Sequence, residues 1–202
     1  MIKKVFIGFA LALLLGMSPL LARKVEITPF GGYQMGGSLE VLAGTLRIKD
    51  NWNFGVILDY TLRPGFQLEL IYSHQDSELR LKQPLLEPVY LFDTAVEYFQ
   101  IGALRDLREG EVRPFVTGTV GVTHFNPKAA GLSSEWRFSA NVGLGVKVFP
   151  SERIGLRLQG RLMLPLINGG ADFFVGPGGG YVIASGEILV QWDVSAGLIL
   201  RL

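Results

Sequence analysis

Residues 136–148 read WRFSANVGLGVKV. Trp136, Phe138, Ala140, Val142, Leu144, Val146 and Val148 alternate with Arg137, Ser139, Asn141, Gly143, Gly145 and Lys147. Successive side chains of a strand point to opposite faces, so a strict period of two describes a strand with one apolar and one polar side. The same alternation runs through Phe54–Leu62, Phe66–Tyr72, Val116–Val122, Ile154–Leu164 and Ile188–Leu202. It is weaker over 25–35 and 90–105. In 90–105, Tyr90, Phe92, Val96 and Tyr98 share the apolar side against Asp93 and Glu97, but Phe99 and Ile101 break the parity. A β-bulge at that point would restore it. Eight strands are expected.

Their connections sort by length. Segments 36–51, 80–89, 126–134 and 167–186 are long, whereas 63–65, 106–111 and 150–152 are short. Arg63-Pro64-Gly65, Arg108-Glu109-Gly110 and Pro150-Ser151-Glu152 are turn sequences. Long and short loops at opposite ends are the habit of outer-membrane barrels. The glycine-rich segment 176–180 lacks the Lys-Ser/Thr pair of a phosphate-binding loop and reads as part of the last long connection.

Composition agrees. The 202 residues include no Cys and only 18 % charged residues, against 49 % hydrophobic, with a net charge of +1. Mean hydropathy is +0.33. A disulfide framework and thiol chemistry are excluded, and no basic run suits nucleic acid. The expected fold is therefore all-β: an eight-stranded antiparallel up-and-down transmembrane β-barrel.

A soluble barrel would alternate too, but its polar face would be dense in Lys and Glu. Here that face is mostly Gly, Thr, Ser, Asn and Gln. Eight strands enclose only enough room for side chains. Asp59, Glu69, Glu97 and Asp193 are expected to pair in the lumen with Lys147, Arg157 and Arg161, because an unpaired buried charge is costly. Tyr33, Phe54, Tyr72, Phe92, Trp136 and Phe138 fall on the apolar face near the loop ends, where an outer aromatic girdle belongs.

The N-terminus carries Lys3 and Lys4, the apolar run Val5–Leu15, then Gly16, Ser18, Pro19 and Ala22. This is the layout of a cleavable export signal. The expected division is a signal peptide, 1–22, followed by the barrel, 23–202.

Ile27-Thr28-Pro29-Phe30-Gly31-Gly32-Tyr33, Arg113-Pro114-Phe115-Val116-Thr117-Gly118 and Gly143-Leu144-Gly145-Val146-Lys147 resemble outer-membrane barrels of the OmpA and OmpX type. The resemblance spans the whole chain after the signal. It implies a monomer in the bacterial outer membrane, surrounded by lipid and lipopolysaccharide and inserted by the barrel-assembly machinery. Such proteins commonly end in an aromatic residue, whereas this chain ends in Leu202. No periplasmic domain is expected after the last strand.

Some eight-stranded barrels modify lipid A, and a hydrolase or acyltransferase of that kind needs a serine activated by a histidine, with a carboxylate to orient the ring. The two histidines, His74 and His124, lie at the loop ends of their strands, with Ser73 and Ser77 beside His74. A deacylase-type His-x-Ser pair is absent at His74, where Asp76 takes the third position. The leading expectation is a non-catalytic barrel with a structural or surface-interaction role, without cofactor or metal. The alternatives are a lipid A-modifying enzyme using His74, Ser77 or His124, and a narrow small-molecule conduit.

Overall fold

A computed structural model describes residues 24–41, 44–82, 88–129, 131–167, 172–176, 179–182 and 187–202. The expected signal peptide, 1–22, lies outside the described residues. In chain order, β1 (Val25–Met35) leads through the hairpin of β2 (Ser38–Val41) and β3 (Gly44–Ile48) to β4 (Asn51–Arg63). There follow β5 (Phe66–Lys82), β6 (Val89–Asp106), β7 (Val112–Pro127), β8 (Glu135–Val148) and β9 (Ile154–Ile167). The last long connection holds β10 (Asp172–Gly176), β11 (Gly179–Val182) and β12 (Glu187–Ile188) before β13 (Gln191–Arg201).

β1, β4, β5, β6, β7, β8, β9 and β13 pair antiparallel in that order, and β1 returns to β13 to close the ring. These are the eight staves expected from the alternation. The hairpin β2–β3 was not expected. It extends the wall by pairing β3 with the far end of β5, from Ile48↔Leu79 to Thr45↔Lys82. At the other end the turns are tight, and Gly65 and Gly110 adopt positive φ of 70° and 122°, a conformation that strains any residue with a Cβ.

The lumen is layered. Nearest the short turns, the Lys147 ammonium lies 2.8 Å from Glu26 and 3.1 Å from Asp59, and it donates to Gln67. Arg157 bridges Asp59 and Glu69 at 3.0 and 2.5 Å. Arg201 closes on Glu26 from the rim at 2.7 Å. One layer up, Arg161 pairs with Asp193, which also accepts from Asn53. Near the loop end the filling turns apolar: Leu46, Ile48, Leu79, Phe92, Val96, Tyr98, Phe125, Met163 and Leu189 form one buried cluster.

That upper layer corrects the reading of β6. Alternation runs unbroken from Phe92 to Leu104, with no bulge at Phe99, and the only register shift against β5 lies farther up, at Leu79/Arg80. Phe92 and Tyr98 therefore point inward, at 8 % and 1 % exposure. Phe92 is not part of the outer aromatic belt, and Glu97 is not a lumen carboxylate. The reason is that the interior near the mouth is apolar, so it accepts the aromatic side chains that were assigned to lipid.

Below this level, the outward face is what a lipid-exposed wall requires. Leu58, Leu70, Ile101, Val116, Val120, Leu144, Leu156, Leu158 and Leu198 all project from it. Tyr33, Phe54, Trp136 and Phe138 are exposed above them, joined by Trp52 and Trp192.

Candidate functional site

Five consecutive staves bring one residue each to the same level of the outward face. The pairs Phe54↔His74, His74↔Glu97, Glu97↔His124 and His124↔Trp136 are in direct register. Residues directly opposite in an antiparallel ladder share a face, with Cβ atoms about 5 Å apart. Each strand places its member by simple alternation. In β7, Thr123 and Phe125 face the lumen, which leaves His124 outside between Val122 and Asn126.

Glu97 is the hub. Its Oε1 accepts from the Tyr72 hydroxyl at 2.9 Å and lies 3.2 Å from His74 Nδ1. Its Oε2 lies 3.0 Å from His124 Nδ1. The side chains of Glu97, His74 and His124 are 22, 19 and 15 % exposed, sheltered yet reachable from the membrane surface. Aromatic rings bracket the group: Phe54 lies 5.2 Å from His74, and Trp136 stacks on His124 at 4.3 Å and 20°.

The two histidines are not equivalent. His74 has a carboxylate at each nitrogen, Glu97 at Nδ1 and Asp76 at 3.4 Å from Nε2. His124 meets Glu97 through Nδ1 alone. A carboxylate accepting from Nδ1–H fixes the tautomer that leaves the lone pair on Nε2. On the loop side, Lys128 reaches Asp76 at 2.6 Å, across a stretch of β6 where Ala95 stands between Asp76 and Asn126. Its hydrogen bond to Asp76 raises the Lys128 pKa above the ordinary lysine value.

The structure thus brings together His74 and His124, which the sequence had placed on separate strands without a link. The link is Glu97, missed because its parity was read as inward. Counting back from Phe99 and Ile101 without a break would have turned it outward. The serine candidates are corrected as well. Ser77 is 6 % exposed and donates to the Lys49 carbonyl, and Ser73 is fully buried. Both face the interior, so neither is a nucleophile for this site. Two residues beyond the histidines stand Asp76 and Asn126, not serines. Among the described residues, no group of three His, Cys, Asp or Glu is arranged to hold a metal ion. The remaining lumen candidates, Asp59, Glu69, Asp193, Lys147, Arg157 and Arg161, sit in the ionic layers described above.

A family model described as lipid A 3-O-deacylase (PagL) matches residues 45–159, more than half of the chain and the whole of this row. The chain belongs to the PagL family. The expectation of a non-catalytic barrel is thereby overturned, since the family is one of enzymes. Among solved structures, this PagL-family chain is similar to Neisserial surface protein A, with a TM-score of 0.58 at 11 % identity over 88 % of this chain and 97 % of that one. It is also similar to OprG from Pseudomonas aeruginosa, with a TM-score of 0.59 at 14 % identity over 90 % and 97 %. The barrel domain of OprF from the same organism gives 0.51 at 15 % identity, over 88 % and 96 %. These likenesses show the outer-membrane barrel fold. No curated protein matches the sequence.

Proposed function

We propose that this PagL-family barrel is an outer-membrane esterase that removes an ester-linked acyl chain from a lipid A-type glycolipid. The observation that carries the reading is the Glu97–His124 contact at 3.0 Å, on the lipid-facing side at the level of the aromatic belt. An acyl ester of a lipid in the same leaflet lies at that depth. Export by cleavage of residues 1–22 and a monomeric barrel in contact with lipopolysaccharide belong to the same reading.

No seryl hydroxyl occupies the position two residues beyond either histidine, so the nucleophile is water. His124 Nε2 takes a proton as the water oxygen bonds to the ester carbonyl carbon. The tetrahedral intermediate then collapses, the bond from that carbon to the sugar oxygen breaks, and the proton passes from His124 to the leaving oxygen. A fatty acid and a free hydroxyl result. Glu97 stays ionised, holding the imidazole in place and offsetting its transient positive charge. Trp136 fixes the ring plane by stacking. His74 has carboxylates at both nitrogens and does not take the proton.

The test is mass spectrometry of lipid A after incubation with the purified barrel. The parent and Ser77→Ala are expected to release one acyl chain. His124→Ala and Glu97→Gln are expected to lose at least a hundredfold in rate, in line with the 10²–10⁴ of a general base. Full activity in His124→Ala would overturn the assignment.

A further inference from the structure

The outward row of β5 changes character along its length. Leu68, Leu70 and Tyr72 give way to His74, Asp76, Glu78, Arg80 and Lys82. That change marks where the wall leaves the apolar layer. Beyond it β3 is added, and the register sets Arg47 directly across from Arg80, with Thr45 across from Lys82. Like charges directly opposite one another destabilise a ladder.

The described carboxylates offset them only in part. Glu78 accepts from Nε and Nη2 of Arg80, at 3.1 and 2.7 Å, and from Lys49 at 2.9 Å, so one carboxylate serves two cations and leaves the Nη1 side of Arg80 open to a further anion. Asp93 stands across from Glu78 and accepts from the Tyr90 hydroxyl. Arg47 and Lys82 are exposed, and no ion pair engages them among the described residues.

Arg80 lies six residues beyond His74 on one strand, about 20 Å along it at 3.3 Å per residue. Barrel tilt reduces that to roughly 15 Å above the aromatic belt. This is the depth of sugars and phosphates in a glycolipid leaflet, not of acyl chains.

We infer that Arg47, Arg80 and Lys82 form a docking surface for the phosphorylated head group of a glycolipid in the surrounding leaflet. An arginine fork matches phosphate oxygens two at a time. A phosphate seated between Arg47 and Arg80 turns their repulsion into a bridge holding β3 on β5. The surface is separate from the Glu97–His124 site and does not depend on hydrolysis.

Native mass spectrometry of the detergent-purified full chain with rough lipopolysaccharide, core phosphates intact or removed, tests this. The parent is expected to retain the phosphorylated form at least tenfold better than the dephosphorylated one. Arg47→Gln/Arg80→Gln, shown folded by its heat-dependent gel migration, is expected to lose that preference. His124→Ala is expected to keep it while losing hydrolysis, which separates this proposal from the catalytic one. Equal retention of both lipids by the parent, or an unchanged preference in the double variant, would overturn it. So would complete displacement by millimolar inorganic phosphate, the mark of a small-anion site.

Discussion

Lys147 shows how much one charged residue does inside this barrel. Its ammonium is 1 % exposed and serves Glu26, Asp59 and Gln67 at once, reaching across the lumen from β8. Removing one member of a buried ionic set costs about 3–5 kcal/mol, because the partners stay buried and charged. Here Glu26 keeps Arg201 and Asp59 keeps Arg157. Lys147→Ala should therefore fall near the lower end, about 3 kcal/mol, measured by urea unfolding in lipid vesicles. Glu97→Ala should behave in the opposite way. Its carboxylate lies on the outer wall, 22 % exposed and facing two histidines and a tyrosine, so no lysine or arginine is stranded. Its stability should stay within about 1 kcal/mol of the parent, as for partly exposed pairs, while hydrolysis is lost. A larger stability loss for Glu97→Ala than for Lys147→Ala would reverse the inward and outward assignments of β6 and β8.

At the scale of an element, β5 crosses two environments. Its lower outward residues, Leu68 and Leu70, oppose the inward Gln67 and Glu69. Its upper outward residues, Glu78 and Arg80, oppose the inward Leu79 and Leu81. The strand is inside-out where lipid surrounds it and follows the ordinary soluble pattern where water does. The absence of Cys makes this measurable. A nitroxide on Leu70→Cys should be relaxed by oxygen, one on Glu78→Cys by a water-soluble nickel chelate, and one on Phe92→Cys by neither. Strong relaxation of the Phe92→Cys label by oxygen would put Phe92 back on the lipid side.

The same crossing explains what could be read in advance. The eight staves were legible because alternation survives on both sides of the boundary. Lumen residues such as Asp59 and Arg157 were legible because they lie where apolar means outward. Phe92, Tyr98 and Glu97 were misread because that rule was carried past the level where the interior turns apolar. The site itself could not be read, since His74, Glu97 and His124 meet only through the register of three strands.

For the whole molecule, closure of β1 on β13 makes the lumen a sealed column with two different stoppers. The lower one is ionic, crossing the bore through Lys147, Arg157 and their carboxylates, with Phe115 packed against the Arg157 guanidinium at 4.5 Å. The upper one is apolar, with Tyr98 and Phe125 fully buried. A permeant ion must pass both, and they fail for different reasons. Truncating aromatic rings opens space above without disturbing the ion pairs below. Tyr98→Ala/Phe125→Ala should therefore lose stability, at about 3–5 kcal/mol per large buried side chain removed, yet leave a planar bilayer without steady conductance. The parent should be equally silent, since eight strands leave a bore that side chains fill. Steady conductance in the double variant alone would mean that the ionic layer is permeable and that the apolar cap is what closes the barrel.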